Sequence, residues 1–175
     1  MNEDIKKKVN IRKLGDSLFS TELEELVNNQ PYMAFVNLSA ILEFIARCKY
    51  YKLFDEVSGK IGDMCYDAIN NIKALEKYKE LNYPNGEKKE ANHLYKSIRC
   101  GMLHSLLPKK EIKLNDDNND LNNMVVGAKE LYHDLKEAWE EVKKESELLT
   151  IMNLEVIQVN LSTSAKTESD YDIYQ

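Results

Sequence analysis

The sequence has few of the residues that form tight turns, since its 175 residues include only 6 glycines and 3 prolines. This scarcity argues against an all-β chain of many short strands and is typical of long helices. The glycines are scattered, so they form no phosphate-binding loop. Neither a Gly-x-Ser-x-Gly elbow nor an HExxH zinc helix occurs. The sequence therefore lacks three common signatures of catalysis.

Cysteines and long apolar runs are also scarce. Cys48, Cys65 and Cys100 are an odd number at wide spacings, which is typical of reduced thiols in a cytosolic protein. The N-terminus, MNEDIKKKVNIRKLGD, lacks the apolar stretch of a secretory signal. The longest apolar-rich stretch, residues 32–51, is interrupted by polar and charged side chains, which predicts a buried helix and not a membrane span. We expect a cytoplasmic protein that does not contact a membrane.

Basic residues are outnumbered, with 24 Lys and Arg against 30 Asp and Glu, so that the net charge is −6. This balance argues against binding to nucleic acid by bulk charge but leaves room for a local basic patch. Arginine in particular is rare and occurs only at Arg12, Arg47 and Arg99. In a chain that uses lysine so freely, the presence of an arginine favours a role that needs its planar, permanently charged group.

The apolar residues recur with helical periodicity over most of the chain, and hydrophobic residues make up 43% of it, enough for a core. We expect an all-α bundle of about five helices, the first opening at Ser20 and the others covering about 31–51, 62–80, 87–107 and 125–149. A short strand at 111–114 is expected to pair with a β-rich run at 151–161 as a two-stranded appendage near the C-terminus.

Composition also suggests how the chain is divided. Residues 1–19 are expected to be a charged lead-in, residues 20–161 a single domain, and residues 162–175 a loose acidic tail. A turn is expected at 83–86, where the sequence reads YPNG. The loop 115–123 is almost entirely Asn and Asp and is expected to be too polar to pack.

Several polar residues have a plain structural interpretation. Glu43 and Arg47 stand four residues apart on a predicted helix, which favours an ion pair between them. His93 and His133 occur in polar helical surroundings, so we expect both on the surface. Cys100 and His104 also stand four residues apart, but two ligands are too few for a zinc site. We expect no metal and no other cofactor.

The most informative stretch is LYKSIRCGMLHSLLP, residues 94–108, in which four residues separate Arg99 from His104 late on a predicted helix. This pattern within a helical bundle resembles the HEPN superfamily (higher eukaryotes and prokaryotes nucleotide-binding), whose members share an Arg, four to six residues of any kind, and a His. The resemblance covers roughly residues 20–150, but its specific part is only LYKSIRCGMLH. Cys100 departs from the polar residue, often Asn, that follows the Arg in many active members. Leu106 stands where members controlled by a nucleotidyltransferase often have Tyr, so we do not expect that control.

The resemblance implies metal-independent cleavage of RNA, with His104 as general acid or base and Arg99 as the phosphate clamp. These residue types suit the reaction, because histidine exchanges protons near neutral pH and arginine binds phosphate oxygens with a permanent charge. The products would be a 2′,3′-cyclic phosphate and a 5′-hydroxyl. The resemblance also implies a homodimer, a possible regulatory protein partner, and a role as a stress, toxin or antiviral defence protein. Lys96, Lys109 and Lys110 flank the motif and are expected to meet the RNA backbone.

A helical wheel constrains this interpretation, because Arg99 and His104 point about 140° apart on an ideal α-helix. Either the helix is distorted near Gly101, or a second copy of the chain completes the site. Three alternatives stay open. In the first, Arg99 only pairs with Glu43 or another acid, and His104 only caps the helix end. In the second, the chain is a catalytically inactive HEPN-like dimerising module that binds a protein, a nucleotide or RNA. In the third, it is an unrelated helical scaffold.

Overall fold

The computed structural model describes residues 8–50, 61–82, 92–105, 107–109, 111–145 and 152–153. Helices dominate these ranges. The α-helices are α1 (Ile11–Ser17), α2 (Thr21–Asn29), α3 (Pro31–Lys49), α4 (Ile61–Asn71), α5 (Cys100–Ser105) and α6 (Ala128–Glu145). A 3-10 helix covers Lys73–Leu81, another covers Leu121–Asn123, and a π-helix (Leu94–Arg99) leads directly into α5. The strands are β1 (Lys8–Val9), β2 (Lys113–Asn115), β3 (Val125–Gly127) and β4 (Met152–Asn153).

Helix α3 lies at the centre of the bundle, because its side chains are apolar on nearly every side. It packs against α2, α4, α6 and the π-helix. Phe44 of α3 and Trp139 of α6 pack with ring centroids 5.5 Å apart. The predicted helical class and the central position of this helix are therefore confirmed.

Helix α1 lies within residues 1–19, where the sequence analysis expected only a charged lead-in. Ile11 is fully buried. The indole nitrogen of Trp139 donates a hydrogen bond of 2.8 Å to Asp16, which joins α1 to α6. Packed structure thus begins before residue 20.

The strand pairing expected near the C-terminus is wrong. Strand β2 overlaps the predicted strand at 111–114, but it pairs in parallel with β3, with Leu114 opposite Val126. Strand β4, which falls within the run at 151–161, pairs in antiparallel register with β1 at the other end of the chain. Pairing depends on which segments the helices bring together, and local sequence does not encode this.

The helix predicted over 62–80 is broken near its middle. Ile72 has extended backbone angles (φ −101°, ψ 120°), and the chain continues as the 3-10 helix from Lys73. The carboxylate of Glu141 on α6 accepts hydrogen bonds from the backbone N–H groups of Lys73 (3.0 Å) and Ala74 (2.9 Å). A carboxylate from another element therefore caps the new helix and stabilises the break.

Most residues of the loop 115–123 are exposed, as expected for so polar a segment, but hydrogen bonds hold it to the rest of the molecule. The Asn119 amide donates to the phenol oxygen of Tyr78 (3.0 Å) and its carbonyl accepts from the backbone N–H of Gly127 (2.8 Å). The backbone N–H of Asn119 donates to Glu130 (2.7 Å). The loop is held by hydrogen bonds and does not need apolar side chains.

Some expectations concern residues outside the described ranges. These are the turn at 83–86, the end of the last helix at 146–149, residues 154–161 of the β-rich run, and the acidic tail at 162–175.

Among the helices in the described ranges, none combines the length and the apolar character needed to cross a bilayer.

Candidate functional site

Arg99 is the last residue of the π-helix, immediately before α5. The backbone N–H of Cys100 donates to the carbonyl of Tyr95, five residues earlier, in place of the usual four. Such widened turns are rare and are frequently found at functional sites. The distortion ends at Arg99, two residues before Gly101, and so lies near the position that one alternative had named.

Arg99 ends the π-helix and lies against Glu43 of α3, whereas His104 lies on α5 and is exposed. Neither a hydrogen bond nor a ring contact joins them in the part of the chain that the structure describes. One chain does not bring the predicted pair together.

The Arg99 side chain faces α3. Its Nη2 lies 2.5 Å from Oε2 of Glu43, and its guanidinium carbon lies 5.7 Å from the centre of the Tyr95 ring. Its Nε is buried and has no hydrogen-bond partner among the described residues. The structural alternative in which Arg99 pairs with Glu43 is therefore observed.

Glu43 binds a second arginine with its other oxygen. Arg47 Nε donates to Glu43 Oε1 at 3.0 Å, which confirms the ion pair predicted from their spacing. The side chains of Arg47, Glu43 and Arg99 are 19%, 15% and 22% exposed. We call these three residues the arginine cluster. Two of the three arginines in the chain belong to it, and both this rarity and the four-residue spacing from Glu43 pointed to Arg47 in the sequence.

The surroundings keep Arg99 charged and its neighbours neutral. Although partial burial lowers the pKa of Arg99, the carboxylate of Glu43 raises it overall. Burial raises the pKa of Tyr95 to about 12, so its phenol stays protonated. Burial also raises the pKa of Cys65, and the charges of the arginine cluster act on this thiol as well. The cluster therefore borders side chains that are uncharged. In these less polar surroundings, the charges of the cluster interact more strongly than they would in water.

His104 is exposed on α5. Its imidazole has no hydrogen bond or ion pair with any residue that the structure describes. The imidazole is therefore accessible to a ligand or to another protein.

The chain returns across the helix directly after α5. A Cβ on Gly101 would lie 2.6 Å from the carbonyl oxygen of Leu107, so only glycine allows this close approach. The backbone N–H of Lys109 donates to the carbonyl of Ser97 at 3.0 Å. This main-chain contact closes the end of the helix.

The lysines predicted to meet RNA are distributed around the motif. Lys96 is half-buried on the π-helix, Lys109 is exposed after α5, and Lys110 lies outside the described residues.

Within the described ranges, no group of three His, Cys, Asp or Glu side chains is arranged to hold a metal ion.

The prediction that His93 is solvated is wrong. The residue is only 5% exposed, and its Nδ1 lies 2.9 Å from the hydroxyl of Ser97. Burial lowers its pKa, and Glu111 only partly opposes this effect. His133, by contrast, is exposed as predicted. Sequence context did not separate the two, because burial of a side chain depends on tertiary packing.

Comparison with known proteins gives no relative, since the chain matches no protein-family model, no curated protein and no solved structure.

Proposed function

We propose that this protein is a HEPN-type, metal-independent endoribonuclease in which Arg99 and His104 act on the scissile phosphodiester. The observation that best supports this function is the contrast between the two side chains. Glu43 and Tyr95 hold the charged guanidinium of Arg99 in one place, whereas the His104 imidazole is exposed five residues later. A fixed cation and an accessible proton carrier are the two components that RNA transesterification needs.

The proposed reaction is an internal transfer of the phosphoryl group. The 2′-oxygen forms a bond to phosphorus as the bond to the 5′-oxygen breaks, which leaves a 2′,3′-cyclic phosphate and a 5′-hydroxyl. One imidazole accepts the proton of the 2′-hydroxyl while water protonates the leaving 5′-oxygen, or a protonated imidazole donates a proton to the leaving 5′-oxygen while water accepts the proton of the 2′-hydroxyl. Arg99 stabilises the negative charge that develops on the phosphate oxygens.

We propose that two copies of the chain form the site. Because Arg99 and His104 project in different directions from one helix, a symmetric dimer that joins two such helices would let each copy supply one group to a common cleft. Lys96, Lys109 and Lys110 would then bind the RNA backbone on either side. The proposed setting is a cytoplasmic stress, toxin or phage-defence protein that a partner protein regulates.

The direct test is cleavage of RNA by the purified protein in EDTA. His104→Ala should lower the cleavage rate at least about 100-fold, since it removes the proton carrier. Arg99→Ala should also lower it, whereas His133→Ala, which removes an exposed histidine on α6, should leave it unchanged. Mass spectrometry of the products should show 2′,3′-cyclic phosphate ends.

Two results would contradict the proposal. One is cleavage that requires a divalent metal ion, and the other is cleavage that persists in the His104→Ala variant at the wild-type rate. Mixing the Arg99→Ala and His104→Ala chains tests the shared site separately. If each copy supplies one group, the mixed dimers should regain part of the activity.

A second candidate function is a non-catalytic dimerising module that binds a protein, a nucleotide or RNA. The observation that favours it is that Glu43 already engages Arg99, and Cys100 follows where active HEPN members often have a polar residue. This function predicts a dimer in sedimentation and no RNA cleavage. Overexpression separates the two candidates, because growth arrest that depends on Arg99 and His104 indicates a nuclease.

A further inference from the structure

Arg47 and Glu43 have no assigned role in the proposed reaction, yet both belong to the arginine cluster. Two guanidinium groups share one carboxylate, so the three side chains carry a net charge of about +1. All three are partly exposed, and a ligand from solvent therefore has access to them. A net positive, half-buried group of this kind attracts an anion.

Hydrogen bonding at Arg99 is incomplete in the resting protein. Its Nη2 is bound to Glu43, and its Nε is buried without a partner among the described residues. A buried donor that lacks an acceptor destabilises the conformation that contains it. Arg99 therefore gains by turning toward a ligand that offers several acceptor oxygens, as a phosphate does.

We propose that the arginine cluster is a phosphate-binding site in which Arg47 is a second RNA-backbone ligand and Glu43 competes with the phosphate for both arginines. This inference rests on the proposed function and adds two residues to it. In the free protein Glu43 holds the guanidinium groups of Arg47 and Arg99 near each other despite their like charge. An incoming phosphate binds the same two guanidinium groups and partly replaces Glu43 in holding them near each other.

Binding of a fluorescent 2′-O-methyl RNA oligonucleotide tests the site, because this probe carries phosphates but cannot be cleaved by 2′-hydroxyl attack. Affinity is measured by anisotropy at fixed salt. Glu43→Gln keeps a hydrogen-bonding side chain but removes the competing charge, so it should bind the probe about tenfold more tightly. Arg47→Ala should bind about tenfold more weakly.

The chain provides a matched control for each variant. Lys49→Ala removes a cation two residues further along α3, and Glu145→Gln removes the carboxylate that pairs with Lys49. Both controls should bind the probe within about twofold of wild type, since neither side chain belongs to the arginine cluster. Arg47→Lys keeps the positive charge but loses the paired N–H donors of the guanidinium group. It serves as the second variant if circular dichroism shows that Arg47→Ala is unfolded.

A purely structural role for the cluster gives a different result. Glu43→Gln would then lower thermal stability and leave probe affinity unchanged, which overturns the inference. An Arg47 variant that binds the RNA probe no more weakly than Lys49→Ala also overturns the inference. If the protein still cleaves RNA in EDTA in that case, the proposed function survives and only the inference fails. If wild type neither binds the probe nor cleaves RNA, both fail.

Discussion

At the scale of single residues, the burial of His93 makes stability depend on pH. Burial lowers its pKa from the ordinary value of 6.5. The unfolded chain therefore binds more protons than the folded chain just below pH 6.5. The stability that neutral His93 allows the folded protein is complete above that pH, and it is lost as the pH falls toward the pKa of His93 in the folded state. We predict that the free energy of unfolding, measured with urea, decreases on acidification through this range.

The contribution of His93 is isolated by substitution. His93→Gln should flatten the pH dependence, because glutamine does not titrate. The exposed His133 provides the control, and His133→Gln should retain the wild-type slope. Equal slopes for the wild-type and His93→Gln proteins would assign the pH dependence to other groups.

The arginine cluster shows how far single residues were predictable. The spacing of Glu43 and Arg47 predicted their ion pair, because i,i+4 neighbours lie on one face of a helix. The contact of Arg99 with Glu43 was foreseen only as one alternative, since the two residues are far apart in sequence. No local pattern predicted the buried Nε of Arg99, which depends on the packing around it.

At the scale of elements, Asn119 holds the loop 115–123 to the rest of the molecule. Its side chain donates to Tyr78 and accepts from the backbone of Gly127. We predict that Asn119→Ala lowers the free energy of unfolding by about 1–3 kcal/mol, because the buried backbone N–H of Gly127 loses its acceptor and Tyr78 keeps only its bond to Asp134. Urea denaturation measures this loss.

Asn118 provides a matched control from the same loop. Its side chain is exposed, and Asn118→Ala should change stability by less than about 0.5 kcal/mol. Equal effects of the two substitutions would mean that the loop does not depend on the Asn119 hydrogen bonds. Composition predicted a loop too polar to pack, but it could not show that Asn119 finds hydrogen-bond partners elsewhere in the molecule.

The π-helix is a second element that the sequence did not reveal. LYKSIR has a helical pattern of apolar residues, with Leu94 and Ile98 buried as predicted. A π-helix and an α-helix share these residue types and differ by one position in their hydrogen bonds. The break between α4 and the 3-10 helix was missed for a similar reason, because Glu141 stabilises it from a distant helix.

At the scale of the whole molecule, the packing of the core separates the three thiols. Cys48 and Cys65 are buried and Cys100 is partly exposed. Burial raises the pKa of Cys48 to about 12 and that of Cys65 as well, so neither forms the reactive thiolate. We predict that Ellman's reagent at pH 8 modifies one thiol in the folded protein and all three after unfolding.

Substitution of Cys100 checks the assignment. Cys100→Ser should abolish the fast reaction of the folded protein and leave two thiols that react only in denaturant. Fast modification of a second thiol in the folded state would show that the core opens near Cys48 or Cys65. A protein with fewer than three thiols after unfolding would contradict the prediction that the cysteines are reduced.

The helical class and most of the core followed from the sequence by itself, because the periodic burial of apolar side chains is a local property that each helix carries in its own residues. The sequence also determined which chemical groups are present, including the scarce arginines and the Arg99 and His104 spacing. Only the tertiary structure decided which strands pair, that His93 is buried, and that Arg47 and Arg99 converge on Glu43. These features join segments far apart in the chain, and their geometry depends on how the helices pack around α3.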